Sequence, residues 1–596
     1  MSSRALQESR KAFATEPPLM AQPDAEPGPN RVFRHRLFNL SATGAFLCIT
    51  AEALYLHSFP VVFSPLGSDL LLISLVVAAV LALLGCSLNV SSRYQVALVL
   101  LGIWLLSFLT RALPHIRLSL PFLHDSYFYA IGAQDILASG TLTPVLSWWY
   151  PQVGANLHWP IMPLITVDVA RVTGIDPFWL IRFQEPFLGA FTGLAVFLVA
   201  RLGTSRNDMS LIAALLASSS DLVVYYQSEY HPQGLVIVFL IFFLFTYLKS
   251  RTSAGLGPRL GSLVFVAVLV LVHHFSSILI AILAVGFVLL APLLARDRSK
   301  PIGTLSRRQI AAQDSNLWLL VAVSIIAYNI LVFFSPAAGF IRLLQETQPN
   351  STVVTAGTGV PIPATILNGL KWAILLLAIY GFVCVRREIG PPLRRLAILL
   401  ALLLVGGVTA NFVIGGPTDR LIAFYAPLAS IFAALGGRHL MKGKAQKKRG
   451  FSTIAATAVL VVIVAGGLLN VALPAYYFHT ATENPYYWAS DRLSSATVYE
   501  PTGKWLSKYT ANGSVYVTEF DTWMVPFFFA GRPVDDVRYV KTDLGTPQDF
   551  LGEGFIVMNP TISYYYQGVL FNKTTYLDNS NVWYANGELV VCELPS

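Results

Sequence analysis

The sequence predicts an α-helical polytopic membrane protein of about thirteen transmembrane helices, followed by a small extracytoplasmic α/β domain. Three observations carry this. The 596-residue chain is 55% hydrophobic and only 12% charged, with a mean hydropathy of +0.60, whereas soluble domains hold about 25% charged residues. Apolar runs long enough to cross a bilayer recur along it. After Pro474 the pattern changes to alternating aromatic and polar residues.

Residues 1–36 are rich in Pro, Ala, Gln and charge and carry no signal-peptide h-region or cleavage site, so a disordered cytoplasmic tail is expected. Candidate spans follow near 38–58, 68–88, 94–110, 178–200, 208–226, 232–249, 258–273, 276–295, 316–335, 367–385, 396–414, 421–437 and 452–473. Lys and Arg collect in alternate connections: Arg201 and Arg206; Lys249, Arg251 and Arg259; Arg296 through Arg308; Arg386 through Arg395; Arg438 through Arg449. The positive-inside rule assigns these to the cytoplasm. An odd number of spans then carries residues 474–596 outside, and the expected location is the plasma membrane, crossed many times, with a cytoplasmic N-terminus. The net charge of +9 is thereby a topology signal and gives no reason to expect nucleic acid as a partner. Cys48, Cys86, Cys384 and Cys592 are scattered, which offers neither a disulfide framework nor a CxxC metal site.

Within the membrane domain, 37–473, two outer connections are too long to be simple links. Residues 111–177 contain LHDSYFYAIGAQDILASG, from Leu123 to Gly140. Tyr127, Ala130, Ala133, Ile136 and Leu137 recur there at helical spacing, so an amphipathic helix lying in the membrane interface is expected. Residues 335–366 contain QPNSTVVTAGTGVPIPA, whose Gly, Thr and Pro predict a mobile loop. In the C-terminal domain GSVYVTEF, GFIVMNP and NVWYANGELVVCEL read as strands joined by turns.

Ionisable residues gather on the outer side of this arrangement. Asp125 follows the third span, Glu229 and His231 occupy the short turn YYQSEYHPQG, and His273 and His274 end the seventh span in VLVHHFSSIL. A span from Arg259 to His274 would measure only ~22 Å against an apolar core of ~30 Å, so its His end should be recessed in a water-filled cavity. Ionisable groups at such depth mark pathways or catalysis, because lipid does not solvate them. The plainer alternative is a set of helix-end residues bathed by headgroups. Arg420, in GGPTDRLIAFYAPL, is a basic residue on the outer side and breaks the charge rule. Asp419 is its nearest acid, but helical neighbours point ~100° apart, and the guanidinium fork matches a phosphate better.

HDSYFYAIGAQDILASG resembles the first outer-loop signature of GT-C membrane glycosyltransferases, in particular the protein O-mannosyltransferase and lipid A aminoarabinose transferase branch. HWPIMPLI, from His158 to Ile165, resembles that branch's Pro-rich turn, and LIRFQEPFLGAFTGLAVFLVARL, from Leu180 to Leu202, resembles its Arg-led span. The layout is similar to the oligosaccharyltransferase catalytic subunit. Departures are visible too. Ser126 stands where the branch often has a second acid, His231 precedes Pro232 with Glu229 two positions upstream, and the C-terminal domain has no tryptophan-rich acceptor motif.

The resemblance implies transfer of a sugar from a polyprenyl-phosphate-linked donor to an extracytoplasmic acceptor, a protein or a glycolipid or glycan. Such a reaction needs a base for the acceptor hydroxyl and a positive environment for the leaving phosphate. Asp125 is the candidate base, with Glu229 and His231 completing the catalytic set. His124, Tyr129, His158, His273 and His274 are candidate substrate-binding residues, and Arg420 is the candidate ligand of the carrier phosphate. A divalent metal, Mg or Mn, held by Asp125, Glu229 and His231 would polarise the same phosphate. Two other classes share part of the pattern: an O-antigen-ligase-like glycan ligase, and a transporter or flippase of lipid-linked sugars. A transporter shows paired halves and helices broken near the midplane, and a ligase has no early Asp-Tyr loop.

Overall fold

The computed structural model describes residues 29–58, 65–118, 124–142, 160–204, 206–252, 256–294, 307–333, 364–385, short pieces between 394 and 402, 418–442, 449–472, 496–510, and seven strand segments between 514 and 593. Residues 1–28, His158 and nearly all of the 335–366 loop lie outside them.

The chain opens with three long apolar helices, α1 (Pro29–Ser58), α2 (Pro65–Asn89) and α3 (Arg93–Leu118). In the long connection 111–177, predicted to be outer, lie α4 (His124–Ser139) and α5 (Ile161–Thr173). Next come α6 (Pro177–Gly189) and α7 (Phe191–Thr204), then α8 (Asn207–Ser218), α9 (Asp221–Ser228), α10 (Pro232–Thr252), α11 (Leu256–Val272) and α12 (His274–Leu294). The membrane part closes with α13 (Arg307–Phe333), α14 (Ala364–Val385), α15 (Thr418–Lys442) and α16 (Arg449–Ala472).

Among the described residues six helices are long and apolar enough to cross a membrane: Val32–Tyr55, Leu70–Asn89, Arg93–Ile116, Pro177–Thr204, Pro232–Ser250 and Leu421–Met441. The pair α8 and α9 makes a seventh if counted as one span bent by 58°. Five further apolar helical stretches of 10–17 residues are found among the described residues, Leu256–Val272 among them. Of the runs that are continuous in hydropathy, 208–226 is thus not one straight helix. The α8–α9 break falls on Ser218, Ser219 and Ser220, where the Ser219 hydroxyl donates to the Leu216 carbonyl at 3.1 Å and competes with the helical ladder. The expected span at 396–414 lies mostly outside the described residues.

Helix packing follows the small residues. A Cβ on Gly381 of α14 would fall 2.0 Å from the Phe432 carbonyl of α15, and one on Gly436 would fall 2.6 Å from the Leu377 carbonyl, so the two backbones are in direct contact. Aromatic wedges fill wider gaps: buried Trp318 of α13 meets Phe243 and Tyr247 of α10 edge-on, at 5.2 and 5.6 Å. At one end of the bundle Asp208 accepts from Arg206 at 2.6 Å and pairs with Arg438 at 3.7 Å. This ties the start of α8 to the end of α15, two ends that the charge pattern predicts to share a side.

The interfacial reading of α4 needs correction. Its helical spacing is as expected, but Ala133 and Ile136 are buried with Val167 of α5, Leu137 and Leu164 packing around them. The apolar stripe is therefore satisfied by protein instead of by lipid.

In the C-terminal region α17 (Ala496–Tyr509) precedes a five-stranded mixed sheet of order β2-β1-β3-β7-β6. Its strands are β1 (Ser514–Val517), β2 (Val537–Tyr539), β3 (Gly554–Met558), β6 (Asn581–Ala585) and β7 (Val590–Glu593); β4 (Tyr565–Tyr566) and β5 (Val569–Leu570) form a separate ribbon. β1 runs parallel to β2 and β3, while β7 pairs antiparallel with β3 and β6. Val515, Ile556, Val557, Val591 and Cys592 are buried, and Trp505 of α17 packs against Tyr584 with ring centroids 5.4 Å apart.

Candidate functional site

The turn from α9 to α10 consists of Glu229, Tyr230 and His231, all buried. Pro232 suits the first helical position because that residue has no ladder hydrogen bond to donate. His231, just before it, caps the helix: its Nδ1 accepts the Gln233 N–H at 3.0 Å. His273 stands just before α12 and does the same, its Nδ1 accepting the Ser276 N–H at 3.4 Å and lying 2.7 Å from Ser276 Oγ. A ring nitrogen that accepts from a backbone N–H holds no proton, so each neutral ring carries its proton on Nε2. The two imidazoles meet edge to face with centroids 5.2 Å apart. Residues 42 positions apart in sequence are thus joined by the way two helices begin.

The helix α4, whose first turn contains Asp125, is docked on this turn. The Tyr230 N–H donates to Ser126 Oγ at 2.9 Å. Tyr129, one helical turn on, packs edge-on against Tyr230 at 6.3 Å and His231 at 5.9 Å. Tyr226 closes the other side of His231 at 6.2 Å. The Tyr230 hydroxyl reaches the Thr166 hydroxyl and, at 3.3 Å, the Met162 carbonyl of α5. Burial, with the Glu185 carboxyl adding to it, pushes the Tyr230 phenol above its ordinary value of 10.0, against the Thr166 hydrogen bond.

Of the residues predicted from sequence, Tyr129, Glu229, His231 and His273 are brought together. Asp125 and His124 occupy the first turn of α4, beside Ser126, and His274 begins α12; their side chains lie outside the described ones. Arg420 sits in the first turn of α15 with the same limit, and His158 is outside altogether.

Sequence reasoning missed a polar floor below the turn. Arg111 of α3 is fully buried; its Nε and Nη2 donate to Gln227 Oε1 at 3.1 and 2.9 Å, and its Nη1 to the Ser107 carbonyl at 3.1 Å and Oγ at 2.5 Å. Gln227 in turn donates to Thr192 Oγ1 at 2.8 Å and to the Gly234 carbonyl at 3.3 Å. Glu185 of α6 is fully buried, and neither of its carboxylate oxygens has a hydrogen-bond partner. Its Oε1 occupies space that only glycine leaves open: a Cβ on Gly234 would lie 2.4 Å from it. Beside the floor, Arg182 Nη2 donates to the His115 carbonyl at 2.7 Å, and the His115 ring engages the Ser228 carbonyl. The available signal was charge beside and inside apolar runs, since Arg111 directly follows the predicted span 94–110 and Glu185 falls inside 178–200.

Among the described residues no group of three or more His, Cys, Asp or Glu is placed to hold a metal. His231 fits a cation poorly: ligation through Nε2 would move its proton to Nδ1 and break the cap to Gln233. Two buried Nε2–H groups on adjoining helix starts suit an anion instead.

No protein-family model matches the sequence, and no curated protein matches it. Among solved structures, the chain is similar to ArnT from Cupriavidus metallidurans bound to undecaprenyl phosphate, at TM-score 0.46 and 13% identity over 84% of this chain and 98% of that one. ArnT in the apo state gives 0.47 and 14% over 84% and 97%. The oligosaccharyltransferase of Archaeoglobus fulgidus, in complex with Zn and sulfate, gives 0.41 and 12% over 72% of this chain and 61% of that one. At these TM-scores the similarity carries no argument about chemistry, which rests on the chain's own residues.

Proposed function

We propose that the protein is a membrane glycosyltransferase of about thirteen spans with an outer C-terminal α/β unit, which moves a sugar from a polyprenyl-phosphate carrier to an extracytoplasmic acceptor. One observation supports it above the rest: the helix whose first turn contains Asp125 is hydrogen-bonded, through Ser126, to the turn whose His231 adjoins His273. A carboxylate-bearing helix and a pair of imidazole donors are what this transfer needs, on opposite sides of the anomeric carbon.

In this reading the Asp125 carboxylate takes the proton of the acceptor hydroxyl as its oxygen bonds to the anomeric carbon. The bond from that carbon to the phosphate oxygen breaks, and the electron pair leaves with the polyprenyl phosphate. His231 and His273 donate Nε2–H bonds to the departing phosphate, whose charge grows in the transition state. Tyr129 and Tyr226 fix the His231 ring, and Glu229 borders the same turn. Arg420 adds a bidentate contact to the carrier phosphate. A divalent metal, if bound at Asp125 and Glu229, would supply further charge to that phosphate, and no step depends on it.

The test is a turnover assay with purified protein in lipid nanodiscs and a radiolabelled polyprenyl-phosphate sugar. Release of polyprenyl phosphate together with label on an acceptor supports transfer. Movement of intact donor across the bilayer, with none consumed, would establish the transporter reading instead.

A further inference from the structure

The C-terminal unit carries a basic aromatic strip for which the transfer reaction has no use. In α17, Thr502, Leu506 and Thr510 are buried, while Lys504, Lys508 and Tyr509 are exposed. At ~100° per residue the solvent side resolves into two adjacent rows, Lys504 with Lys508 and Trp505 with Tyr509, the members of each one turn apart. The half-buried Trp505 has its ring centroid 5.4 Å from that of Tyr509 and 5.4 Å from that of Tyr584 in β6, tilted by 37° and 32°. The three rings thus run from the sheet to the end of the helix, where Tyr509 is 59% exposed. Lys508 Nζ stands 5.0 Å over the Tyr509 ring.

Two kinds of occupant fit exposed rings of this sort, a sugar stacked on an aromatic face and the headgroup layer of a membrane. The Lys508 ammonium decides between them. It lies over one face of Tyr509, the most open of the three rings, whereas stacking needs that face bare. Tyr and Trp rings, apolar in the body and polar at one edge, concentrate where hydrocarbon meets water. Lysines beside them keep their stems on the apolar side and send the ammonium out to lipid phosphates. α17 also follows α16, the predicted span 452–473, in the chain. A strip tethered so close to a bilayer meets it at an effective concentration on the order of millimolar, so weak contacts suffice.

We propose that this strip docks the C-terminal unit onto a lipid surface, with Trp505, Tyr509 and Tyr584 in the headgroup layer and Lys504 and Lys508 on the phosphates of anionic lipids. The inference needs a chain anchored in a bilayer and is independent of any role for the α9–α10 turn.

The experiment uses the full chain in nanodiscs of phosphatidylcholine, alone or with roughly 30% phosphatidylglycerol, the acyl chains brominated near the headgroup to quench tryptophan at the interface. The fluorescence owed to Trp505 is the difference between wild type and Trp505→Phe. It should be quenched in the phosphatidylglycerol discs, at least about twofold less in phosphatidylcholine alone, and released at ~1 M salt, where the Debye length falls to ~3 Å. A lysine near an anionic surface is worth roughly fivefold in affinity, so Lys504→Gln combined with Lys508→Gln should lower the docking equilibrium roughly 25-fold. Absence of quenching in both lipids overturns the proposal, and a shift of Trp505 emission on adding a soluble oligosaccharide would then assign the strip to a glycan. Quenching that is equal in the two lipids and indifferent to salt also overturns it, because the lysines then play no part. If Trp505→Phe does not fold, Tyr509→Trp places a reporter at an exposed position, and the lipid and salt dependence of its added fluorescence decides in the same way.

Discussion

Ser126 Oγ accepts the backbone N–H of Tyr230 at 2.9 Å, across 104 residues of sequence. That bond joins the first turn of α4 to the turn carrying Glu229 and His231, so a change in either element is felt by the other. Asp125 is the immediate neighbour of Ser126, and its role is the first to test. Asp125→Asn keeps shape and removes basicity; turnover is expected to fall by ~10²–10⁴ while donor binding and thermal stability hold. Turnover near wild type in purified protein would remove Asp125 as the base.

His231→Asn separates capping from phosphate binding. Asn keeps an N-cap acceptor, so the melting temperature should change little, whereas His231→Ala should lose about 1 kcal/mol with the cap. Both variants lack the Nε2–H donor and should bind polyprenyl phosphate equally weakly. Strong binding by the Asn variant would show that the imidazole is only a cap.

Gly234→Ala is expected to destabilise the fold by roughly 1–3 kcal/mol, because its Cβ would fall 2.4 Å from Glu185 Oε1 and 2.5 Å from the Tyr226 carbonyl. Thermal denaturation in detergent reads this directly. Glu185→Ala in the same background should recover part of the loss by removing one of the two clashes.

Tyr230 gives the protein an alkaline limit. Its phenol has a folded value above the ordinary 10.0, so the folded state binds the proton more tightly than the unfolded one. Its contribution to stability is complete below pH 10 and declines as pH rises towards the folded value. Stability measured from pH 8 to 12 should therefore fall less steeply in Tyr230→Phe than in wild type, although the variant starts lower for want of its bonds to Thr166 and Met162.

Arg420 is tested by the series Arg, Lys, Ala. Donor affinity should fall in that order, because lysine keeps the charge and loses the bidentate fork. Equal donor affinity in Arg420→Ala and wild type would exclude the contact.

Much of this arrangement was visible in sequence because polar residues stand out in an apolar chain. Glu229, His231 and His273 were marked by depth alone, and the helical spacing around Ala130 and Ala133 located α4. What packs on α4 was not visible, since an apolar stripe looks the same whether lipid or Val167 covers it. Arg111 and Glu185 were read past, one as the first residue of an outer connection and the other as part of an Arg-led run. Their meaning depends on contacts with Gln227 and Gly234, which hydropathy does not encode. Continuous hydropathy likewise concealed the break at Ser218 to Ser220, because the apolar residues on either side keep the average of the run high.

That break bears on how the protein is made. A Cβ on Gly467 of α16 would lie 1.7 Å from the Ser219 carbonyl, so α16 presses its bare backbone onto the bend between α8 and α9. The ribosome reaches Gly467 only after well over a third of the chain has been added beyond Ser219. The bent pair therefore enters the bilayer before the surface that covers it has been synthesised, and its final packing is a late event in biogenesis, completed after insertion.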